Sequence, residues 1–507
     1  MKSITGIVQL LVLQNNLPKN NVMIINNIKE TLSNIFIFLL VFFTQFSSIN
    51  REVIDWDEST FFILSKYLAN GEVLYIDYWD GKPPMIFLYL SLFFKIFGSN
   101  LLVGRLAGDF LIFISCILIF KILRSKFSNS ISLSSSLFLI YLFSYDASQP
   151  TMTEHLGIVF ILLSMYIVLN NEITLNYYLL GLLFSFAFNT RNNLAFTCFG
   201  LFLYLIYINK LTFYSFLQIT TGFMLPVIVG FIYFYTVGGL KNYFYMLFEF
   251  PIQNTSNRYS FDDLKIDIFN KLNLDKILSI EILITIFVAV SIIYFFKSAP
   301  LDKENHLLLL NIVLFLSTFL SIYAGGRLYG HYLIQVFPFV TIFIAAIMNI
   351  ISNIRYSQVI YFLIALTINI ALLHSGLNNL INYNQISENY PSKALISVMD
   401  ELLIDDSSLV VLDYHIIYLN TNRYKSPTII HPSNQAYIER NKLFLNSLFK
   451  LGIVEMKEFE KNIQNKPKNV ICYEYCNEVL PKKFFENYKI ESEIKGVKIF
   501  SLIHSNK

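Results

Sequence analysis

The chain has 507 residues, of which 55% are hydrophobic and only 14% are charged, and its mean hydropathy is +0.54. Since a soluble domain carries roughly 25% charged residues, this composition excludes a soluble globular protein and predicts an integral membrane protein surrounded by membrane lipids. The net charge of +3 is too small and too evenly spread to indicate binding to nucleic acid.

Eleven apolar segments follow a polar N-terminal segment at 1–30, which we expect to be cytoplasmic. A helix needs about 20 apolar residues to cross a bilayer, and somewhat shorter runs are tolerated. The predicted spans are 32–49, 101–123, 131–145, 155–170, 174–189, 194–208, 212–236, 277–296, 306–323, 332–351 and 357–376.

One more apolar run, at 85–97, is shorter, follows two prolines and contains Lys95. The distribution of Lys and Arg decides whether it crosses, because these residues are enriched in cytoplasmic loops. If the run does not cross, the basic cluster at 121–126 lies inside; if it crosses, that cluster moves outside. The sequence therefore predicts an interfacial or re-entrant helix at 85–97, and most polar clusters beside the spans then face the outside.

The composition changes after residue 378, and residues 385–507 are mixed polar. Short strand-like runs alternate there with helical patterns, at 408–412, 469–472, 496–502, 392–403 and 436–451. The predicted fold class is thus an α-helical polytopic membrane protein, with about 11 transmembrane helices plus interfacial helices at 31–378 and a small extracytoplasmic α/β domain. In that domain Cys472 and Cys476 are close enough in sequence to form a disulfide.

The first outer loop, residues 50–82, contains seven Asp and Glu against three Lys and Arg. Charge so close to hydrocarbon is costly and is commonly functional. Asp57 is the leading candidate for a catalytic base, because a carboxylate there can take a proton from an acceptor hydroxyl or amine. Glu58 could hold a metal or orient Asp57. Alternatively, Asp55, Asp57 and Glu58 only cap a helix that begins near Ser59.

Several basic residues beside predicted spans are candidates for binding a phosphate. Lys82 can neutralise a lipid phosphate as a point charge, although it could instead only extend toward head groups. Arg327, with His331 close by, can bind a phosphate with two parallel hydrogen bonds, but an interfacial belt of Arg and aromatic residues explains the same pattern. Arg258 and Arg191 are lower-ranked candidates on outer loops.

Glu154 and His155 begin the fourth predicted span, on the same face as Asp57. Glu154 could be a second acid that contacts sugar hydroxyls, or a ligand of a divalent cation together with His155. The alternative is an ordinary helix start, with Glu154 in the first turn. One acid and one histidine predict no certain cofactor, and the metal content stays unknown.

These features occur in an order that resembles the GT-C superfamily of membrane glycosyltransferases. Within it, the chain is most similar to the family 39-like branch of protein O-mannosyltransferases and lipid A aminoarabinose transferases. The resemblance covers roughly residues 30–375 and rests on Asp57-Glu58, Gly71, Lys82-Pro83-Pro84, Phe97-Gly98, Arg105-Leu106, Arg327, Gly330-His331-Tyr332 and Phe337-Pro338.

The resemblance implies an inverting sugar transfer from a polyprenyl-phosphate donor at the extracytoplasmic face, in a bacterial cytoplasmic membrane. Asp57 would then be the general base, Lys82 would contact the donor phosphate, and Glu154 would take the place of the second loop acid. The acceptor is not implied, and a glycan, a lipid or a protein all remain open.

A polytopic lipid or oligosaccharide flippase or transporter is the main alternative. Transporters of this kind contain inverted repeats and broken helices with their charges near the middle of the bilayer, whereas here the charges cluster at one surface. An O-antigen ligase or polymerase is a third hypothesis. Such enzymes usually need a large outer loop between late spans, and the late loop at 324–331 is short.

Overall fold

A computed structural model of the chain describes residues 19–256, 303–352 and 391–503, together with 370 and 377. Within these ranges it does not describe 47, 145–147, 149, 171–175, 325–328, 403, 405–408, 425, 432–441, 454–466 and 474–485. Two predicted spans, 277–296 and almost all of 357–376, therefore lie outside the described residues.

The described part before residue 353 is built from helices. They are α1 Lys19–Gln45, α2 Trp56–Ala69, α3 Met85–Phe97, α4 Leu101–Arg124, α5 Asn129–Phe143, α6 Thr153–Leu169, α7 Tyr177–Thr190, α8 Ala195–Tyr207, α9 Phe213–Thr236, α10 Leu240–Phe244, α11 Phe250–Ser256, α12 Lys303–Ala324 and α13 Phe337–Ser352. Short 3₁₀ turns and one π-helical turn join them, at Ser48–Asn50, Asn192–Leu194, Gly330–Gln335 and Tyr245–Glu249.

Four of the described helical segments are long and apolar enough to cross a membrane. They are Asn27–Gln45, Leu101–Arg124, Phe213–Thr236 and His306–Tyr323. Six further apolar helices are shorter, and five of them fall within a few residues of predicted spans. The sixth is α3, which has the bounds predicted for the interfacial run. Helix α1 begins at Lys19, well before the predicted start of the first span.

Helix α4 lies at the centre of the bundle and packs against α1, α3, α5 and α6. Close approach is possible because Gly104 and Gly108 share one face of α4. A Cβ atom at Gly104 would lie 2.6 Å from the Phe62 ring, and one at Gly108 would overlap Thr151 Oγ1. Small residues four apart let neighbouring elements approach closely inside a membrane. This packing brings α2 and the start of α6 together beside α4.

The C-terminal region contains a four-stranded sheet in the order β1-β2-β4-β3. Its strands and helices are β1 Leu409–Val411, β2 Asn469–Cys472, β3 Tyr488–Ile494, β4 Val497–Leu502, α14 Pro391–Glu401, α15 Ile417–Asn420 and α16 Lys442–Lys450. Strands β1 and β2 are parallel, and the other two pairings are antiparallel. Cys472 is disulfide-bonded, while its predicted partner, Cys476, lies outside the described residues.

The C-terminal region is joined to the first loop and α2 by buried charged groups. The Lys66 ammonium donates to the backbone carbonyls of Tyr418, Leu419 and Thr421 at 2.9, 3.0 and 2.8 Å, at the end of α15. Glu52 accepts hydrogen bonds from the Ser392 backbone N–H at 3.1 Å and from Ser392 Oγ. A cation at a helix C-terminus satisfies carbonyls that have no helical partner. The C-terminal region thus lies on the same side of the bundle as the acidic loop.

Candidate active site

Helix α2 begins earlier than the sequence predicted, at Trp56 rather than near Ser59. The reason is its N-cap: the Asp55 carboxylate accepts a hydrogen bond from the Asp57 backbone N–H at 2.8 Å. The capping alternative is therefore correct for Asp55, because a side-chain acceptor at this position satisfies a backbone donor of the first turn. Asp57 lies in that first turn, where its own side chain has other partners.

The Asp57 carboxylate lies between the side chains of Lys82 and His431. Its Oδ2 is 3.0 Å from Lys82 Nζ, and its Oδ1 is 2.8 Å from His431 Nε2. Burial alone would raise the pKa of Asp57, but the charge of Lys82 and the hydrogen bond from His431 outweigh it and hold the pKa well below its usual value. Asp57 is therefore ionised at neutral pH. The Asp57 charge in turn raises the pKa of Lys82, against the effect of burial.

The backbone of Lys82 is fixed by the loop that precedes it. Its carbonyl accepts a hydrogen bond from Tyr75 Oη at 2.6 Å, and its N–H donates to Asp80 Oδ1 at 2.9 Å. Nearby, the Trp79 N–H donates to the Thr428 carbonyl at 2.9 Å, and the Trp79 ring packs edge-on against Phe250 at 5.0 Å. The loop therefore positions Lys82 through backbone hydrogen bonds, and the Lys82 ammonium contacts Asp57.

A second charged cluster forms where α6 begins and α7 ends. The Arg191 guanidinium is ion-paired with the Glu154 carboxylate and lies over the Tyr332 ring, 4.2 Å from its centroid. His331 Nε2 is 3.8 Å from the same carboxylate. Burial lowers the pKa of His331, although the charges of Glu154 and Asp57 oppose that shift. Since Asp57 and Lys82 both interact electrostatically with members of this cluster, the two clusters make one site.

Glu58 does not join Asp57 in this site. One of its carboxylate oxygens is 2.9 Å from Arg105 Nη2, and the other accepts a hydrogen bond from the Thr151 N–H at 2.7 Å. Arg105 also donates to the carbonyls of Ser48 and Arg51. Both charged side chains are 1% exposed, so this pair ties α2, α4 and the segment before α6 together in the protein interior.

The His155 side chain is also buried, and its hydrogen-bond and ring partners lie outside these clusters. Its Nε2 is 2.8 Å from the Ser148 carbonyl, and its ring packs edge-on against Phe143 at 5.1 Å. Among the residues that the structure describes, no three His, Cys, Asp or Glu side chains are grouped so that they could hold a metal ion. The predicted phosphate ligands Arg327 and Arg258 lie outside the described residues.

No sequence motif indicated His431, and Arg191 was only a lower-ranked phosphate candidate. His431 lies in the C-terminal region, which carried no motif, and no local signal connects it with Asp57. Arg191 had a signal: with Asn192 and Asn193 it forms a polar group at the end of an apolar segment. In the structure Asn193 accepts from Arg191 Nε at 2.9 Å and donates to Gln335 at 3.2 Å, and so holds the guanidinium beside the 330–335 turn.

Asp55 predicts how stability depends on pH. Burial, helped by the negative charge of Asp57, raises the pKa of Asp55 from 3.8 to about 7. The folded state then binds this proton more tightly than the unfolded state, so stability falls as pH rises from about 4 to about 7. Asp55→Asn keeps the cap, because Asn and Asp stabilise a helix N-terminus about equally, and it removes the group that titrates. We expect thermal stability to decline less steeply between pH 5 and pH 8 in the variant than in wild type. Equal declines would show that Asp55 is not the group responsible.

Comparison with known protein families finds one family that matches part of the chain. Residues 81–234 match the family of dolichyl-phosphate-mannose-protein mannosyltransferases. This segment includes Lys82, Glu154 and Arg191, whereas Asp57 and His431 lie outside it. No curated protein matches the chain.

Solved structures extend the comparison over almost the whole chain. ArnT from Cupriavidus metallidurans bound to undecaprenyl phosphate has a TM-score of 0.57 at 11% identity, covering 94% of this chain and 98% of that one. The apo state of ArnT has a TM-score of 0.58 at 12% identity, covering 93% of this chain and 97% of that one. An oligosaccharyltransferase from Archaeoglobus fulgidus has a TM-score of 0.48 at 11% identity, covering 93% of this chain and 73% of that one. The chain therefore has the ArnT-like fold, and its predicted resemblance to the GT-C membrane glycosyltransferases is confirmed.

Proposed function

We propose that this protein transfers a sugar from a polyprenyl-phosphate donor to an acceptor hydroxyl or amine at the extracytoplasmic membrane face, with inversion at the sugar carbon. One observation carries the proposal: an ionised, largely buried carboxylate, Asp57, is held between Lys82 and His431, beside a second cluster that contains Arg191. The structural neighbour ArnT was solved with undecaprenyl phosphate bound, which is a phosphate ligand of the proposed class.

The cationic side chains of the site suit a phosphate. Lys82 and Arg191 are each paired with a carboxylate, so the site is close to neutral when the donor is absent. An ammonium has three donors, and Lys82 can therefore bind a phosphate oxygen while keeping one hydrogen bond to Asp57. Arg191 offers a planar guanidinium, which suits two parallel hydrogen bonds to phosphate. In a partly dry site these charges are worth more than they are in water.

The reaction needs one proton acceptor and one stabilised leaving group. The acceptor O–H or N–H gives its proton to Asp57 as the acceptor atom bonds to the anomeric carbon of the sugar. The bond between that carbon and the phosphate oxygen breaks, and polyprenyl phosphate leaves with the electron pair. A base on one face of the sugar and a leaving group on the other give inversion, as in inverting glycosidases. Lys82 and Arg191 stabilise the charge that develops on the phosphate.

Lys82 also couples departure of the phosphate to proton transfer onto Asp57. A carboxylate whose pKa is held far below neutrality is a weak base, and catalysis improves when the pKa of the base lies nearer the working pH. As the phosphate leaves, it attracts the Lys82 ammonium more strongly and the hold of Lys82 on Asp57 weakens. The pKa of Asp57 then rises at the moment when it must take the proton.

The other predicted site residues receive supporting roles in this proposal. Glu154 orients Arg191 rather than acting as a second acid, because it is already ion-paired with that guanidinium. Glu58 fixes α2 through Arg105, and His155 packs inside the bundle. No step is assigned to a divalent cation.

Lys82→Met tests the donor half of the proposal. Loss of one charge-assisted hydrogen bond costs about 1.5–3 kcal/mol, so we expect the KM for a polyprenyl-phosphate sugar to rise about 10- to 100-fold. Activity should not recover at high acceptor concentration. Lys95→Met, which removes an exposed lysine from α3, is the matched control and should behave as wild type. An unchanged donor KM in Lys82→Met would remove this lysine from phosphate binding.

A further inference from the structure

A cavity of about 520 Å³ lies where the C-terminal region meets the first loop. Its aromatic lining comes from Trp56, Tyr414 and Tyr473, and its charged lining comes from Glu52, Asp413 and Lys495. Its size falls in the range of roughly 300–1,000 Å³ that is typical of small-ligand sites. The proposed transfer mechanism uses none of these six residues.

The cavity is connected to the proposed base through Trp56. This residue lines the cavity and directly precedes Asp57 in α2. Its ring also lies edge-on to the His431 imidazole, with 6.4 Å between the ring centroids, and His431 is hydrogen-bonded to Asp57. A molecule seated in the cavity would therefore contact Trp56, whose ring neighbours the histidine that is hydrogen-bonded to the base.

The chemistry of the lining selects the class of ligand. Glu52, Asp413 and Lys495 line the cavity, and their net negative charge disfavours a phosphate. The Glu52 oxygens already accept hydrogen bonds from Ser392, Tyr414 and Asn420. Asp413 can accept hydrogen bonds from ligand hydroxyl groups, and the Lys495 ammonium can donate them. Aromatic rings offer flat apolar surfaces with polar edges. Flat faces combined with hydrogen-bonding groups around them suit a sugar ring, which has an apolar face and a hydroxylated rim.

We propose that this cavity is the acceptor subsite and that it binds one or two sugar units of a glycan acceptor. The proposal rests on the transferase function proposed above and gives its acceptor a chemical class. It also gives the C-terminal region a role, since that region supplies Tyr414, Tyr473, Asp413 and Lys495. The donor phosphate stays with Lys82 and Arg191, so the two substrates meet at Asp57 from different sides.

The two tryptophans of the chain provide a direct binding assay. Trp79 is packed against Phe250 in the interior, and Trp79→Phe leaves Trp56 as the single tryptophan of the full-length protein, which can be excited selectively over the tyrosines. We expect saturable changes in Trp56 emission when maltose, lactose or chitobiose is titrated into this variant. Because the assay requires no donor and no turnover, it is independent of whether sugar transfer occurs.

Two further substitutions in the Trp79→Phe background locate the binding site. Tyr473→Ala removes an aromatic wall and should weaken disaccharide binding about tenfold or more, while Tyr214→Ala, an exposed tyrosine of α9, should change nothing. Lys495→Asn should fold well even if Tyr473→Ala does not. The φ angles of Lys495 and Gly496 are +51° and +85°, which suits Asn-Gly in a hairpin turn, and we expect about tenfold weaker binding from the lost charged hydrogen bond.

The results can refute the acceptor subsite and the transferase function independently of each other. Sugar-dependent emission that both cavity variants weaken supports the acceptor subsite. No response to any of the three disaccharides, in a preparation that transfers sugar from a lipid donor, would overturn the subsite and leave the transferase standing. A response to undecaprenyl phosphate in place of the disaccharides would overturn it as well. Disaccharide binding in a protein that transfers no sugar would refute the transferase and retain a glycan-binding cavity.

Discussion

Asp57→Asn should lower the rate of sugar transfer by a factor of about 10² to 10⁴, the usual contribution of a general base. The substituted amide keeps an oxygen that can accept from Lys82, but it cannot take a proton from the acceptor. The helix cap is not affected, because it uses the Asp57 backbone N–H and the Asp55 carboxylate. We therefore expect kcat to fall while the KM for the donor changes little.

Asp77→Asn is the matched control for this experiment. Asp77 is an exposed carboxylate of the same loop and accepts from the Val73 N–H at 2.6 Å. It has no contact with Lys82 or His431 in the described structure, so its substitution should leave transfer unchanged. If Asp57→Asn retained full activity in correctly folded protein, Asp57 would not be the base, and Glu154 would be the next acid of the site to test.

Arg105→Met should strongly destabilise the protein. The substitution leaves the Glu58 carboxylate buried without its cation, and breaking a buried ion pair in this way costs about 3–5 kcal/mol. It also removes the donors that serve the Ser48 and Arg51 carbonyls. We expect a clear fall in the thermal unfolding midpoint and in the yield of folded protein, measured in detergent by size-exclusion chromatography at increasing temperature.

Two comparisons show whether this loss comes from the unpaired charge. Lys121→Met, toward the other end of α4, removes a less buried cation and should have a small effect. Adding Glu58→Gln to Arg105→Met removes the unpaired charge while keeping an acceptor for the Thr151 N–H, so it should restore part of the stability. Equal stability of Arg105→Met and wild type would show that the pair does not hold α2 in place.

The sequence placed Asp57 and Lys82 in one loop after the first predicted span, and the structure shows that their side chains are paired. The sequence also grouped Glu58 with its neighbour Asp57, and there adjacency was misleading. Consecutive residues on a helix with 3.6 residues per turn point about 100° apart. Asp57 therefore contacts Lys82 and His431, while Glu58 contacts Arg105 in the interior. Because α2 begins at Trp56, Asp57 faces the site and Glu58 faces the interior.

His431 could not be predicted, since its contact with Asp57 depends on how the C-terminal region packs. That packing depends on Lys66 and Glu52, and in the sequence these are only two of the ten charged residues of the acidic loop. Strand β3 was missed for a different reason. Its pattern of Lys489, Glu491 and Glu493 on an edge strand is typical of strands protected against further pairing, and it lacks the apolar run that reveals β2 and β4.

The bundle was easier to predict than its site because apolar length is a local property, and charge pairing is not. Helices α4, α9 and α12 were found within a few residues of their bounds from hydropathy alone. The pairing of Arg191 with Glu154 joins the end of α7 to the start of α6. No pattern within either segment indicates that pairing, which becomes visible only when the helices are packed.

The most direct test of the central claim is transfer of labelled sugar from synthetic polyprenyl-phosphate donors to acceptors in a membrane extract. Wild type, Asp57→Asn and Asp77→Asn are compared at equal amounts of folded protein. The account predicts transfer by wild type and Asp77→Asn from at least one donor, and a near-complete loss in Asp57→Asn. Absence of transfer by wild type from every donor would contradict the account and favour a lipid or oligosaccharide flippase.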